Sequence, residues 1–251
     1  FGISYSTADT LSSATASNFR PVLEQLCEAF SRQQNIEQKN SSVTTNVSIS
    51  SASSGVLYAQ ILQGAPFQLF FSANTSYPKK LVDSGHGSPE TLATYAMGKL
   101  ILVSRKKDPG VEGETPEKLL ADARRIAIAN PRTAPYGVAA MAVLERLGVA
   151  ETNHSRLVMG NNIAQAWQFF HSGNADVTIV AASLIYPAGQ SGFKENRFVT
   201  IDLSSHLTDP VEQALVAIKP VGELTQQFLD FLKSSPSSKF SSMNSLLFEN
   251  L

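Results

Sequence analysis

The sequence predicts an α/β fold with largely parallel sheets, and three observations predict it. Strand-like and helix-like segments alternate along the chain, which is how parallel sheets with crossover helices read. The strands repeatedly end in a few small polar residues that open a helix. The chain has 251 residues and 43% hydrophobic content, enough to bury a substantial core in one large or two small domains.

In chain order, residues 10–16 read as the first strand. Phe19, Val22, Leu23, Leu26, Cys27 and Phe30 then recur at helical spacing and predict a helix over 18–31. Cys27, the chain's one cysteine, sits on that apolar face, so it reads as a small buried residue rather than a nucleophile, and no intrachain disulfide can form. The Ser/Asn-rich stretch 39–46 reads as a loop before a strand at 45–51. A helix at 54–63 is stopped by Gly64. A strand at 67–72 and a helix at 76–84 follow, then a surface loop at 84–90 near a lobe boundary. Next come a strand at 100–103, a helix at 116–122 and a strand at 125–129. Gly148 ends a helix at 136–147, and Gly173 ends one at 162–172. A strand at 177–182 leads to a loop at 187–197 that carries Pro187, Gly189 and Gly192. A strand at 214–219 and a helix at 221–233 precede the Ser-rich tail 234–251, whose apolar spacing suits a short packed helix. No internal repeat is visible.

Composition narrows the function. The 21 acidic and 20 basic residues leave a net charge of −1. Nucleic acids and anionic membranes are poor partners for such a chain, because both need a clustered basic footprint. No apolar run is long enough to span a bilayer. Residues Phe1 to Thr10 lack the charged and apolar regions of a signal peptide. His86, His154, His171 and His206 are scattered without metal-ligand spacing. Asn153-His154-Ser155 is a glycosylation-like sequon, read as a chance match. Neither a nucleophile elbow nor a phosphate-binding P-loop is present.

Four junctions carry the functional signal. Ala16-Ser17-Asn18-Phe19 precedes the first helix, and Ser51-Ala52-Ser53-Ser54-Gly55 precedes the second. Asn130-Pro131-Arg132-Thr133-Ala134-Pro135-Tyr136-Gly137 leads into the helix at 136–147. Gly160-Asn161-Asn162 opens the helix of Ile163, Ala166, Trp167 and Phe170. A helix N-terminus carries roughly half a positive charge and unpaired N–H groups, so it suits an anion. In open α/β sheets the ligand crevice lies at that edge of the sheet. Ser and Asn are also ordinary helix caps, and each junction taken singly is explained by capping alone. Arg20 and Arg132 flank these loops and read as solvated, and Trp167 reads as a packing residue.

Several strings resemble the molybdate-binding proteins of bacterial ABC importers. They are Ala16-Ser17-Asn18-Phe19, Ser53-Ser54-Gly55 with Leu57 and Gln60-Ile61, and Gly64-Ala65-Pro66-Phe67 leading to Phe71-Ser72-Ala73-Asn74. Thr94-Tyr95-Ala96-Met97-Gly98-Lys99-Leu100, Ala127-Ile128-Ala129-Asn130-Pro131, Ala134-Pro135-Tyr136-Gly137 and Gly173-Asn174-Ala175-Asp176 continue the match in the family's order, over about residues 10 to 183. The resemblance implies a two-lobed, type II periplasmic-binding-protein fold. It clamps a tetrahedral oxyanion, molybdate or tungstate, with neutral donors. Ser17 and Asn18 match the family's first contact loop, Ser54 the serine of the second, Tyr136 a backbone contact in the third and Ile163 a backbone contact in the fourth. Some relatives add a tyrosine hydroxyl near Val180, where this chain has Ala181.

The resemblance further implies a lobe one of residues 1–94 plus 220–251 and a lobe two of 95–219. The chain is expected to cross near Tyr95 and return near Lys219, making a hinge that closes on ligand. No cofactor or catalytic residue is expected, and molybdenum enters only as the bound oxyanion. The implied partner is the membrane permease of an ABC importer, and the protein is expected to be a periplasmic monomer whose export signal has been removed. The alternatives are a sulfate or phosphate receptor and a lobed enzyme acting on an anionic substrate, such as a porphobilinogen deaminase relative. An enzyme would need a titratable pair in the cleft, and the four junctions offer none. A ligand-sensing regulatory domain would need an effector domain for which the chain has no room.

Overall fold

The computed structural model describes residues 10–37, 46–105, 114–149, 154–186 and 198–234. The expected loop at 187–197, nearly all of the loop at 39–46, and the tail beyond Ser234 lie outside the described residues.

Among the described residues, ten strands form two five-stranded sheets. The first has the order β2-β1-β3-β10-β4, from β1 (Thr10–Ala16), β2 (Asn46–Ala52), β3 (Leu69–Ser72), β4 (Ala93–Gly98) and β10 (Val211–Ala217). The second has the order β7-β6-β8-β5-β9, from β5 (Leu100–Arg105), β6 (Ile126–Ala129), β7 (Leu157–Gly160), β8 (Val177–Ala181) and β9 (Phe198–Asp202). The two orders match strand for strand, although the sequence shows no repeat. In each sheet three strands run parallel: β1 with β2 and β3, and β6 with β7 and β8. The other two join antiparallel, β10 between β3 and β4, and β5 between β8 and β9. The parallel expectation therefore holds for the strands that lead into helices.

The helices are α1 (Arg20–Glu37), α2 (Ser54–Leu62), α3 (Ser76–Asp83), α4 (Pro116–Asp122), α5 (Pro135–Arg146), α6 (Ile163–His171), α7 (Ala182–Ile185) and α8 (Glu223–Ser234). In the first sheet the pleat sends alternate residues to opposite faces. Phe71 and Leu215 join Leu23, Leu26, Phe30 and Phe228 of α1 and α8 on one face. Phe70 and Val216 join Leu57, Ile61 and Leu81 of α2 and α3 on the other. The second sheet, covered by α4, α5 and α6, has a core of its own that includes Leu102, Ile128, Leu144 and Phe170. Trp167 packs on that core beside Phe170, their ring centroids 5.6 Å apart.

The crossings sit differently from the expected points. Tyr95 lies within β4 and Lys219 just beyond β10, and both strands hydrogen-bond into the first sheet. By sheet membership the chain changes over at Lys99 and again between Asp202 and Val211. Strand patterns alone do not say which sheet a strand joins. Two segments thus link the sheets, as a hinge requires.

Candidate functional site

Strand register brings the four junctions together. Ala16 pairs with Ala52 at the ends of β1 and β2. Ala129 pairs with Gly160 at the ends of β6 and β7. Each pair of strands releases two helices at the same sheet edge. Ser54 and Ile163 are the first residues of α2 and α6, and Tyr136 is the second of α5. Pro135 opens α5, where its missing N–H costs no helix bond and its fixed φ suits the first turn. First-turn N–H groups have no acceptor within their own helix.

Between these helix starts lies a small cavity of about 10 Å³, on the scale that roughly one water-sized body needs. Ser17, Asn18, Ser53, Ser54 and Ala73 line it from the first lobe, and Ala134, Pro135, Tyr136 and Ile163 from the second. All five residues singled out in the sequence are therefore brought to one cavity. The lobes also touch directly around it. The Gly55 N–H donates to the Thr133 carbonyl at 2.9 Å, the Ala164 N–H to Ser17 Oγ at 3.4 Å, and Ser183 Oγ to the Asn18 carbonyl at 3.1 Å. Gly55 permits that approach, since a Cβ there would come within 2.8 Å of the Thr133 oxygen.

The side chains divide by role. Ser54 is fully buried, and its Oγ accepts from the Ala73 N–H at 2.9 Å. That bond consumes a lone pair and leaves the O–H free to donate. Ser17 Oγ likewise accepts, from Ala164, and keeps its proton. The Asn18 side chain is engaged elsewhere. Its Nδ2 donates to Gln213 Oε1 at 2.8 Å, and its buried Oδ1 has no partner. The amide is thus tied to β10, and the backbone N–H is what Asn18 offers the cavity. Gln213 Oε1 also accepts from the Tyr95 hydroxyl at 3.4 Å, and Tyr95 Oη reaches the Ser72 carbonyl at 3.2 Å. Burial pushes the Tyr95 hydroxyl well above its ordinary range, so it stays a neutral donor.

Gln213 and Ser53 were not singled out from the sequence as site residues. Nothing local marks Gln213, which meets Asn18 across 195 positions. Ser53 stood in view within the second junction, but as the N-cap of α2 its hydroxyl makes no cap bond. Ala181 ends β8 fully buried and does not line the cavity. Arg20 pairs with Glu24 at 2.7 Å on the exposed face of α1, and Arg132 turns its N–H to Asn130 Oδ1 at 3.0 Å. Neither arginine lines the cavity. Cys27 is buried between α1 and its sheet, and burial, with help from Glu24, pushes its thiol up to about 12.

The cavity lining contains no Lys, Arg, His, Asp or Glu. It holds backbone N–H groups and hydroxyls under helix N-termini, an environment for a compact anion bound without a counter-charge. A second, larger cavity of about 350 Å³ lies on the hinge side and shares Asn18 and Tyr136 with the first.

Residues 11–240 match the family described as bacterial extracellular solute-binding protein. The molybdate-binding protein ModA of Rhodobacter capsulatus is 42% identical over 183 residues, 72% of this chain and 69% of that protein. ModA of Azotobacter vinelandii is 37% identical over 192 residues, 74% of this chain and 72% of that protein. The solved structure of the Azotobacter vinelandii periplasmic molybdate-binding protein superposes with a TM-score of 0.78 at 35% identity, covering 93% of this chain and 97% of that one. This chain belongs to the bacterial extracellular solute-binding proteins, within the group that holds the molybdate-binding proteins.

Proposed function

We propose that the protein is the extracytoplasmic receptor of an ABC importer, that it is no enzyme, and that it captures molybdate, or tungstate, in the small cavity between the lobes. The observation that carries this reading is a small cavity under three helix N-termini, lined by hydroxyls and N–H groups and free of ionisable acids and bases other than the Tyr136 phenol. The contacts we assign are the Ser17 hydroxyl, the Asn18 N–H, both the hydroxyl and N–H of Ser54, and the Tyr136 and Ile163 N–H groups. About five to seven charge-assisted hydrogen bonds of roughly 1.5–3 kcal/mol each give more than ~8 kcal/mol before ordering costs, compatible with micromolar or tighter binding. The two connecting segments let the lobes open to load the ion. The closed form, with contacts such as Gly55 to Thr133, is the one offered to the membrane permease. The protein acts as a monomer in the periplasm, without cofactor or nucleic acid.

Selectivity follows from the donor-only lining. Molybdate, tungstate and sulfate are fully deprotonated dianions near neutral pH, whereas much of inorganic phosphate carries a proton. That O–H would face donors, at a cost of about 1–3 kcal/mol or more. Calorimetric titration of the purified protein at pH 7 with molybdate, tungstate, sulfate and phosphate tests the reading. Molybdate and tungstate should bind tightly and phosphate at least tenfold more weakly. Equal affinity for phosphate and molybdate would refute the donor-only site and direct attention to Asn18 Oδ1, a buried acceptor without a partner. Absence of binding by molybdate and tungstate would overturn the function.

A further inference from the structure

The residue before α2 poses a question that the five assigned residues do not answer. Ser53 is the N-cap of α2, with extended backbone at φ −72° and ψ 148°. A serine there ordinarily accepts from the N–H of the second or third helical residue. Ser53 makes no such bond, is only 4% exposed, and its Oγ has no hydrogen-bond partner. A buried hydroxyl left unpaired is costly and calls for a physical reason. Part of the reason is on the other lobe. The N–H of Gly55, the second residue of α2 and the natural partner of this cap, is taken by the Thr133 carbonyl at 2.9 Å. The contact between the lobes thus occupies one of the two N–H groups that the Ser53 hydroxyl could cap, and Ser53 lines the small cavity.

We infer that the Ser53 hydroxyl is a further donor to the bound oxyanion. The inference rests on the oxyanion reading of the cavity and deepens it. A serine hydroxyl accepts through its oxygen and donates through its proton, and the Ser53 hydroxyl does neither within the described residues. Its proton is therefore available to an anion in the cavity that Ser53 lines.

The test is calorimetric titration of molybdate into Ser53→Ala, Ser53→Thr and Ser53→Asp, with melting of each unliganded protein. Alanine removes the donor, and affinity should fall roughly 10- to 100-fold. Threonine keeps a hydroxyl and should retain affinity within about threefold of wild type. Aspartate sets a carboxylate at a 4% exposed position that lines the cavity, so its unliganded melting should fall and its affinity should drop further than alanine's. A purely structural Ser53 predicts the reverse for alanine: melting falls while molybdate binds as it does to wild type. That result, or unchanged affinity in Ser53→Ala alone, overturns the inference while wild-type binding stands. Wild-type protein that binds neither molybdate nor tungstate removes the functional reading itself, and this inference with it.

Discussion

The first lobe meets the small cavity with hydroxyls, on Ser17, Ser53 and Ser54, whereas the second meets it with backbone behind apolar side chains, Ala134, Pro135, Tyr136 and Ile163. The hydroxyls are held by bonds that orient them: Ser54 Oγ by the Ala73 N–H, and Ser17 Oγ by the Ala164 N–H. The second lobe needs no such bonds, because a helix fixes the direction of its own first N–H groups. Ile163 is buried in the second core, and the Tyr136 ring is 2% exposed. These side chains anchor α5 and α6 to their sheet and leave the first-turn N–H groups at the cavity. The comparison teaches that the two halves of one site should fail differently. The first lobe loses donors one residue at a time. The second loses them only when a helix start is displaced.

The largest effect is expected at Ser54. Ser54→Ala should weaken molybdate binding by about 1.5–3 kcal/mol, because a donor disappears from a desolvated dianion. It also strands the Ala73 N–H, which is buried and has Ser54 Oγ as its acceptor. Stability of the unliganded protein should therefore fall too, by about 1–3 kcal/mol. From the sequence, where Ser54 reads as a replaceable cap, the stability loss is expected to be the smaller of the two effects. The Ala73 bond makes them comparable. Calorimetry and thermal melting together read both, and unchanged affinity would remove Ser54 from the site.

In the second lobe the corresponding break is Gly137→Ala. A Cβ at Gly137 would stand 2.8 Å from the Pro131 nitrogen and 2.9 Å from the Ala129 carbonyl carbon, both backbone atoms that cannot swing aside. The first turn of α5 must then move off the end of β6. Overpacking of this kind costs about 1–3 kcal/mol of stability, and the Tyr136 N–H moves with the helix. Affinity for molybdate should drop by roughly tenfold, near 1.4 kcal/mol, although no side chain on the cavity has changed. A lowered melting temperature with wild-type affinity would show that the start of α5 contributes nothing to the ion.

What the sequence revealed follows the same divide between local and long-range determinants. The helix starts were legible because Pro135 and Asn162 act within one turn of themselves, and Asn162 does cap α6 by accepting from the Gln165 N–H at 3.0 Å. Helix α1 was legible from its apolar spacing, and α4 from a Thr115 cap followed by Pro116. Strands β4, β7 and β9 were missed. The sequence of β4, ATYAMG, has no apolar run, β7 has four residues, and β9 gains its partner β5 from almost a hundred positions away. The antiparallel insertion of β10 and β5 is likewise a property of pairing, not of either strand's composition. At the site, the backbone contacts expected of Tyr136 and Ile163 came from the family resemblance, carried over position by position. The turn of the Asn18 amide toward Gln213, the Gly55 bond to Thr133, and the Ser54 bond to Ala73 each depend on residues brought in by another element.

The smallest effect expected is also the sharpest separation of backbone from side chain. Tyr136 is the one second-lobe residue of the cavity that carries a hydroxyl, so sequence inspection alone would make that hydroxyl a donor to the ion. The structure sends it elsewhere. Tyr136 Oη lies against Gly98 at the crossover, where an added methyl group would collide with it, and the ring lines the hinge-side cavity. Burial raises its pKa, so the phenol remains protonated throughout the pH range of a binding assay. Tyr136→Phe keeps the ring, the helix start and the N–H. Molybdate affinity should therefore stay within about threefold of wild type, under 0.7 kcal/mol, while Ser54→Ala in the same assay loses ten times or more. The contrast between these two hydroxyl deletions, at two buried residues that line the same cavity, is the measurement. If Tyr136→Phe loses as much affinity as Ser54→Ala, the phenol is coupled to the ion, and the second lobe does not bind through its backbone alone.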